Sequence, residues 1–184
     1  MLHLNNDIEA IAPGWLDQLS GWLAFRDIGV VGAKLLYPDG SIQHAGVIVS
    51  PSHGAPGHLF NRLTGNDTGY QWLPHRVRNV SAVTGACLLT RTDLFHELGG
   101  FDEEHLGVQF NDTDYCLRAI ATGKRVVYEP SAVLFHHESA SRGRDYDYRE
   151  TLFFLEKYRD YQDPFASPRL DVTSLYGPTP LAVR

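Results

Sequence analysis

The chain has little cysteine, with Cys87 and Cys116 as the only thiols among its 184 residues. Each of them lies inside an apolar run, far from the other in sequence. Two isolated cysteines form neither the disulfide framework of a small secreted domain nor a zinc site. We therefore expect both side chains to be buried thiols.

The sequence also has no run of lysine or arginine. Its 16 basic residues are outnumbered by 22 acidic ones, which gives a formal net charge of −6. Binding to a nucleic-acid backbone is disfavoured, because proteins that do so usually present a basic face. An acidic balance suits a protein that meets anionic substrates only through a metal ion or a local pocket.

Long hydrophobic runs are missing as well. We find no signal peptide and no apolar stretch long enough to span a bilayer. Both observations favour a cytoplasmic location, and peripheral attachment to the inner face of a membrane through other parts stays open. Hydrophobic residues nevertheless make up 43% of the chain, which is enough for one domain with a true core.

The apolar pattern and the turn signals predict strands interleaved with helices. Residues 50–76 are rich in Gly, Pro, Asn and His and predict a long loop. We interpret His44, His53, His58 and His75 as ordinary surface or hydrogen-bonded histidines, because their spacing follows no metal-site pattern. The predicted strands are 1–4, 28–36, 42–49, 77–89, 125–128 and 132–135, and the predicted helices are 13–25, 93–98, 112–122 and 146–161.

Carboxylates lie at the start of one predicted helix. Asn111 is a good N-cap, and Asp112 and Asp114 fall in the first turn, where the helix dipole favours negative charge. A carboxylate whose backbone is anchored by the packing of such a helix is well placed to act as a general base. Simple capping of the helix explains the same residues, so the pattern alone leaves both interpretations open.

Three polar clusters follow or flank the ends of predicted elements. They are Asn5–Asp7 after the first strand, Asn111–Asp114 at the helix start, and His136–His137 after the last strand. Aspartate oxygens and a histidine nitrogen suit Mg²⁺ or Mn²⁺ when phosphate and water complete the coordination. Such an ion can hold a diphosphate and stabilise the charge that grows on it as it leaves.

Gly85 and Ala86, within the predicted strand 77–89, have almost no side chain. Residues of this kind in a strand indicate either a bulge or a close approach by a ligand or another backbone segment. The sequence does not separate the two interpretations.

Seven motifs, in order along residues 2 to about 160, resemble those of family 2 glycosyltransferases. The resemblance is strongest to bacterial rhamnosyltransferase-like members that build surface polysaccharides. The motifs are Leu4–Glu9, Val31–Gly40, Gln43–Gly46, Thr84–Cys87, Gly99–Glu103, Asn111–Arg118 and His136–Ser139.

The resemblance implies an α/β protein: part of a GT-A (Rossmann-like) nucleotide-diphospho-sugar transferase fold, with a mixed sheet flanked by helices. Residues 1–162 would be the C-terminal part of that domain, and residues 163–184 an extended surface tail. The chain starts directly on a strand, as in the middle of a domain. We therefore expect an N-terminal portion with most of the nucleotide pocket to be missing, and the isolated chain to be poorly stable or inactive.

By the same resemblance, Asp7 takes the last acidic position of the family's metal motif, and Asn5 replaces the first. His136 matches the metal-ligating histidine, with His137 as its nearest competitor. The implied cofactor is Mn²⁺ or Mg²⁺. Asp112 matches the catalytic base. Residues matched to donor or acceptor binding are Thr84, Gly85, Ala86, Gly100, Asp102, Asn111 and Arg142.

The implied reaction is an inverting displacement in cell-surface polysaccharide synthesis. Asp112 would accept the proton of an acceptor hydroxyl, on a growing glycan or a lipid-linked saccharide, as that oxygen attacks the sugar of a nucleotide-diphosphate donor. Two other interpretations stay open. One is a non-catalytic carbohydrate-binding or assembly remnant that lacks the donor-binding half, and the other is a metal-dependent hydrolase that uses the same Asp and His cluster.

Overall fold

The structure is a computed structural model that describes residues 1–49, 56–137, 148–166, 170–171 and 179–180. Within these ranges the helices are α1 (Trp15–Gly21), α2 (Thr92–Glu97), α3 (Asn111–Ala121) and α4 (Tyr148–Lys157), and short 3₁₀ helices cover Trp22–Ala24 and Tyr70–His75. The strands are β1 (Leu2–Leu4), β2 (Ile8–Ala10), β3 (Ile28–Leu36), β4 (Ile42–His44), β5 (Val47–Ile48), β6 (Gly57–His58), β7 (Arg78–Asn79), β8 (Cys87–Thr90), β9 (Arg125–His136), β10 (Leu170–Asp171) and β11 (Thr179–Pro180).

The main sheet has the strand order β1-β8-β3-β9-β2, with β4 paired to β3 and β7 paired to β9. Strands β3 and β9 run parallel, whereas β8 is antiparallel to both β1 and β3. The sheet is therefore mixed and helices flank it, which confirms the α/β architecture. Two short ribbons, β5-β6 and β10-β11, form separate pairs.

Strand β3 is the centre of the sheet, and almost all of it is buried. Its alternate side chains enter two hydrophobic cores on opposite faces, because successive residues of a strand point to opposite sides. The first core lies on the side of α3 and α4 and includes Val30, Val83, Leu88, Tyr115, Tyr128 and Phe154. The second core lies on the side of α1 and includes Leu19, Ile28, Val31, Leu35, Val127 and Leu134.

Several predicted boundaries are wrong. Residues 80–86 do not continue a strand between β7 and β8, although Val80, Ala82 and Val83 are buried. The predicted strand 42–49 is split into β4 and β5 at Gly46, which has a φ of +92°. Conversely, β9 runs through Pro130 as one strand, with an irregular register against β3 at Ala33 and Lys34.

The predicted helices are found with shifted ends. Helix α1 begins at Trp15, after a left-handed Gly14, and α2 begins at Thr92. Asn111 is not the N-cap of α3: that position belongs to Phe110, with a φ of 60° and no capping side-chain bond. Asp112 and Asp114 do lie in the first turn of α3. The expected start of the last helix at Tyr146 lies outside the described residues.

The predicted loop 50–76 contains β6 and one of the 3₁₀ helices, and residues 50–55 fall outside the described ranges. In the tail, β10 pairs with β11 antiparallel. Both cysteines are free and buried, as expected. Within the described ranges, none of the helices has the length and hydrophobicity needed to cross a lipid bilayer.

Candidate active site

The polar clusters found in the sequence meet at one edge of the main sheet. Strands β3 and β9 are parallel and end at this edge, and β1 ends there beside the first residue of β8, because Leu4 pairs with Cys87. Ile8 pairs with His136, so the turn at Asn5–Asp7 lies between the start of β8 and the end of β9. In open α/β sheets the carboxyl ends of the strands are the usual place for a ligand.

The proposed metal ligands are in direct contact. Asp7 Oδ1 and Asn5 Nδ2 each lie 3.2 Å from His136 Nε2. The backbone N–H of His137 donates to the carbonyl of Asp7 at 3.0 Å, which fixes the turn against the end of β9. The side chain of His137 points elsewhere and contacts the exposed Glu9 at 2.8 Å. Of the two histidines, His136 is the one that faces Asp7.

A carboxylate, an imidazole and an amide are donors of the kind that Mg²⁺ or Mn²⁺ binds. Among the described residues, no group of three or more His, Cys, Asp and Glu side chains is arranged to hold a metal. At this site the described part of the chain offers two such ligands, Asp7 and His136, together with the amide of Asn5. This incomplete set fits an ion that takes its other ligands from a diphosphate and water.

Asp112 is held by backbone donors on both of its oxygens. Its Oδ2 accepts the N–H of Gly85 at 2.7 Å, and its Oδ1 accepts the N–H of Thr113 at 2.6 Å. A Cβ at position 85 would lie 3.3 Å from the Cβ of Asp112, so the glycine permits this close approach. The side chain is half-buried, which leaves it within reach of a substrate hydroxyl.

The turn formed by Thr84, Gly85 and Ala86, called here the 84–86 turn, contacts both Asn5 of the proposed metal site and Asp112. Ala86 accepts the backbone N–H of Asn5 at 3.0 Å, next to the Gly85 N–H that binds Asp112. The structure thus brings Asn5, Asp7, His136, Asp112 and all three residues of the turn to one region.

A buried histidine, His44, accepts a hydrogen bond from the 84–86 turn. His44 is fully buried, and its Nε2 accepts the N–H of Gly46 at 3.3 Å and that of Thr84 at 3.5 Å. Its Nδ1 lies 2.9 Å from Nδ1 of His58. Burial, followed by the neighbouring His58 and Arg78, holds the pKa of His44 well below its ordinary value, so the ring is neutral. His44 is thus hydrogen-bonded but is not a surface residue, and His53 lies outside the described residues.

Gly100 and Asp102 belong to a second cluster, beside α3. The guanidinium of Arg118 donates to the carbonyls of Leu98 at 2.6 Å and Gly100 at 2.7 Å. Asp102 accepts bonds from the backbone and ring of His105, both at 3.1 Å. Burial raises the pKa of Asp102, but the bonds from His105 lower it more, so the net pKa is below the ordinary value.

Asp114 anchors this second cluster, a role that the sequence does not indicate. Its carboxylate is fully buried and binds Arg118 at 2.7 Å, Lys157 at 2.6 Å and the hydroxyl of Tyr158 at 2.6 Å. Asn111 is the first residue of α3, directly before Asp112. Arg142, the remaining predicted binding residue, lies outside the described residues.

The architecture and the site define an α/β protein with a carboxylate and histidine cluster at the strand ends. No family model matches the sequence. The chain is 40% identical over 179 residues to an uncharacterised protein of Sinorhizobium fredii, covering 91% of this chain and 19% of the relative. It is also 40% identical over 185 residues to the O-antigen biosynthesis protein RfbC of Myxococcus xanthus, covering 95% of this chain and 14% of the relative.

A third relative is the N-acetylglucosaminyl-diphospho-decaprenol L-rhamnosyltransferase of Mycobacterium tuberculosis. The identity is 34% over 137 residues, which are 71% of this chain and 43% of the relative. The chain therefore spans less than half the length of each of these three relatives. The names of the second and third support a relationship between this chain and glycosyltransferases.

Proposed function

We propose that the chain forms the C-terminal, metal-binding and acceptor-activating part of a family 2 glycosyltransferase with a GT-A fold. It would move a sugar, with inversion, from a nucleotide-diphosphate donor to a hydroxyl of a growing glycan or lipid-linked saccharide in polysaccharide synthesis. The observation that carries the proposal is that Asn5, whose side chain contacts His136, and Asp112 both hydrogen-bond to the 84–86 turn. The name of the third relative, a rhamnosyltransferase, and that of the second, an O-antigen biosynthesis protein, also support it.

Asp112 is the general base in this proposal. Its Oδ1 accepts both the backbone N–H and the hydroxyl of Thr113, whereas its Oδ2 accepts the N–H of Gly85 and keeps a lone pair for an acceptor hydroxyl. These bonds fix the direction of the carboxylate without using a metal. A base held in this way takes the proton as the hydroxyl oxygen attacks the anomeric carbon, and the nucleoside diphosphate departs from the opposite face.

Asn5, Asp7 and His136 would hold Mn²⁺ or Mg²⁺. Such an ion, when bound, neutralises the charge that develops on a departing diphosphate. Asp7 and Asp112 therefore divide the work, since one carboxylate serves the cation and the other serves the proton. We also propose a cytoplasmic site of action beside the membrane, because the third relative is named for a diphospho-decaprenol substrate.

The test is Asp112→Asn, compared with Asp93→Asn. Asp93 lies in the first turn of α2 as Asp112 lies in that of α3, but its side chain is 74% exposed. Transfer from UDP-, dTDP- and GDP-sugars is measured with the 184-residue chain and with any longer product of the same reading frame.

We expect Asp112→Asn to slow transfer by about 100-fold or more, because that is what a general base typically contributes. Binding of the donor, measured by calorimetry with Mn²⁺, should be unchanged, and Asp93→Asn should leave both properties intact. Loss of donor binding together with turnover would contradict the assignment of the base, as would an equal loss in Asp93→Asn.

A further inference from the structure

Gln43 makes the shortest side-chain contact of His136. Its Oε1 lies 2.6 Å from Nδ1 of the imidazole, and both residues are buried, at 7% and 9% exposure. A side-chain carbonyl oxygen can only accept a hydrogen bond, so Nδ1 must carry the proton. In the neutral form of the ring, the lone pair is then on Nε2.

That lone pair faces the proposed metal ligands. The amide nitrogen of Asn5 lies 3.2 Å from Nε2 and can donate to it, which agrees with the same tautomer. Asp7 Oδ1 also lies 3.2 Å from Nε2, so in the neutral ring the carboxylate oxygen and the ring nitrogen that carries the lone pair face each other. This is the arrangement that a shared cation stabilises, since both atoms can then act as its ligands.

The chain places Gln43 by means of β4. His44 pairs with Leu35 of β3, and Leu35 also pairs with Leu134 of β9, so β4 and the end of β9 flank the same part of β3. The carbonyl of Gln43 accepts a hydrogen bond from the side-chain amide of Asn61 at 2.9 Å, which also fixes the position of this strand.

We propose that Gln43 is a positioning residue that locks His136 in the tautomer protonated at Nδ1, so that Nε2 faces Asp7 and a divalent cation. This role rests on the cation site proposed above, whereas the tautomer itself can be tested in the metal-free chain. Metal-binding histidines commonly donate their second ring nitrogen to a carbonyl or carboxylate, and loss of that partner typically weakens metal binding by about 10- to 100-fold.

The first measurement is the tautomer of His136, by long-range ¹H–¹⁵N correlation NMR on the ¹⁵N-labelled chain at mildly alkaline pH. His136→Ala identifies the signals of the ring. We expect the lone-pair nitrogen to be Nε2 in the wild type and in Gln43→Glu, whose carboxylate still accepts from Nδ1. Gln43→Leu should lose this preference, and Gln18→Leu, the same change at an exposed position of α1, should retain it.

The second measurement is the affinity for Mn²⁺ alone, from the electron paramagnetic resonance signal of the free ion. We expect Gln43→Leu to bind about 10- to 100-fold more weakly, with Gln43→Glu and Gln18→Leu close to the wild type. A wild-type ring protonated at Nε2 would overturn the proposal, as would Gln43→Leu without any change in tautomer and affinity. If Gln43→Leu does not fold, the wild type and Gln43→Glu still decide the tautomer.

The two proposals fail differently. If the wild type binds no Mn²⁺ but its tautomer depends on Gln43, the cation site is wrong and the hydrogen-bonding role of Gln43 stands. If Mn²⁺ binds at Asp7 and His136 irrespective of the residue at position 43, the cation site stands and the positioning role is wrong.

Discussion

Gly85 sets how closely the 84–86 turn approaches the candidate base. A methyl group at this position would lie 3.3 Å from the Cβ of Asp112 and 3.6 Å from its Oδ2. We therefore predict that Gly85→Ala pushes the carboxylate aside by a few tenths of an ångström. Small displacements of a reacting group are costly, so we expect turnover to fall by about tenfold while the melting temperature changes little.

The matched control is Gly21→Ala, because a Cβ at Gly21 would meet nothing within 4 Å. It should leave turnover unchanged. Steady-state transfer assays and thermal melts of both variants check the prediction. Equal turnover in Gly85→Ala and the wild type would mean that the position of Asp112 does not limit the reaction.

The two thiols offer a second prediction at the scale of single residues. Burial raises the pKa of Cys87 to about 12 and raises that of Cys116 further. Because the thiolate is the reactive form, neither side chain should react with a disulfide reagent such as DTNB in the folded protein at mildly alkaline pH. Both should react at once in concentrated urea. A rapid reaction of either thiol without denaturant would contradict the buried positions.

At the scale of elements, Asp114 joins α4 to α3. Its buried carboxylate binds Arg118 from α3 and both Lys157 and Tyr158 from the end of α4. We predict that Asp114→Ala lowers the free energy of unfolding by about 3 kcal/mol, because Arg118 and Lys157 lose a fully buried anion that holds both of them. Urea denaturation followed by circular dichroism measures this loss.

Glu156→Ala is the matched control for that substitution. Glu156 pairs with Arg159 at 2.8 Å on the surface of the same helix region, where both side chains are mostly exposed. Removing such a pair should cost less than about 1 kcal/mol. If Asp114→Ala costs no more than Glu156→Ala, the carboxylate does not hold the two helices together.

The elements also explain what the sequence can and cannot predict. Strand β3 is predicted with its true ends, because its apolar run is bounded by turn signals. The error at residues 80–86 has a physical cause: Val80, Ala82 and Val83 are buried in irregular backbone, and burial produces an apolar run whatever the backbone does. The pattern of apolar residues therefore predicts which residues are buried more reliably than it predicts their backbone conformation.

The candidate site also contains features that the sequence predicts and features that it does not. Asp7, Asp112 and His136 are predicted from the sequence because they stand in polar clusters at predicted element ends and in motifs that carry the family resemblance, and their roles stay predictions. The contacts of Gln43 with His136 and of Asp114 with Lys157 are not predicted. Each joins residues far apart along the chain, and the local pattern around either carries no signal of its distant partner.

At the scale of the whole molecule, β3 couples the two cores, since its side chains enter both of them. Gly32 lies in this strand, and a Cβ there would come within 2.4 Å of the Cβ of Val83 in the first core. We predict that Gly32→Ala destabilises the protein by about 2 kcal/mol through overpacking. Because both cores include side chains of β3, we expect the destabilisation to affect both faces of the sheet.

Two probes can test whether the faces unfold together. Trp15 and Trp22 pack against the second core, so in a Trp72→Phe background their fluorescence reports the face opposite to the substitution, whereas far-ultraviolet circular dichroism reports all elements. In urea, Gly32→Ala should shift both transitions to lower concentration by the same amount, as a single cooperative unit requires. Gly57→Ala, whose Cβ would meet nothing within 4 Å, should shift neither. A fluorescence transition that keeps its wild-type midpoint while the dichroism shifts would show that β3 does not transmit the strain, and that the two cores are independent.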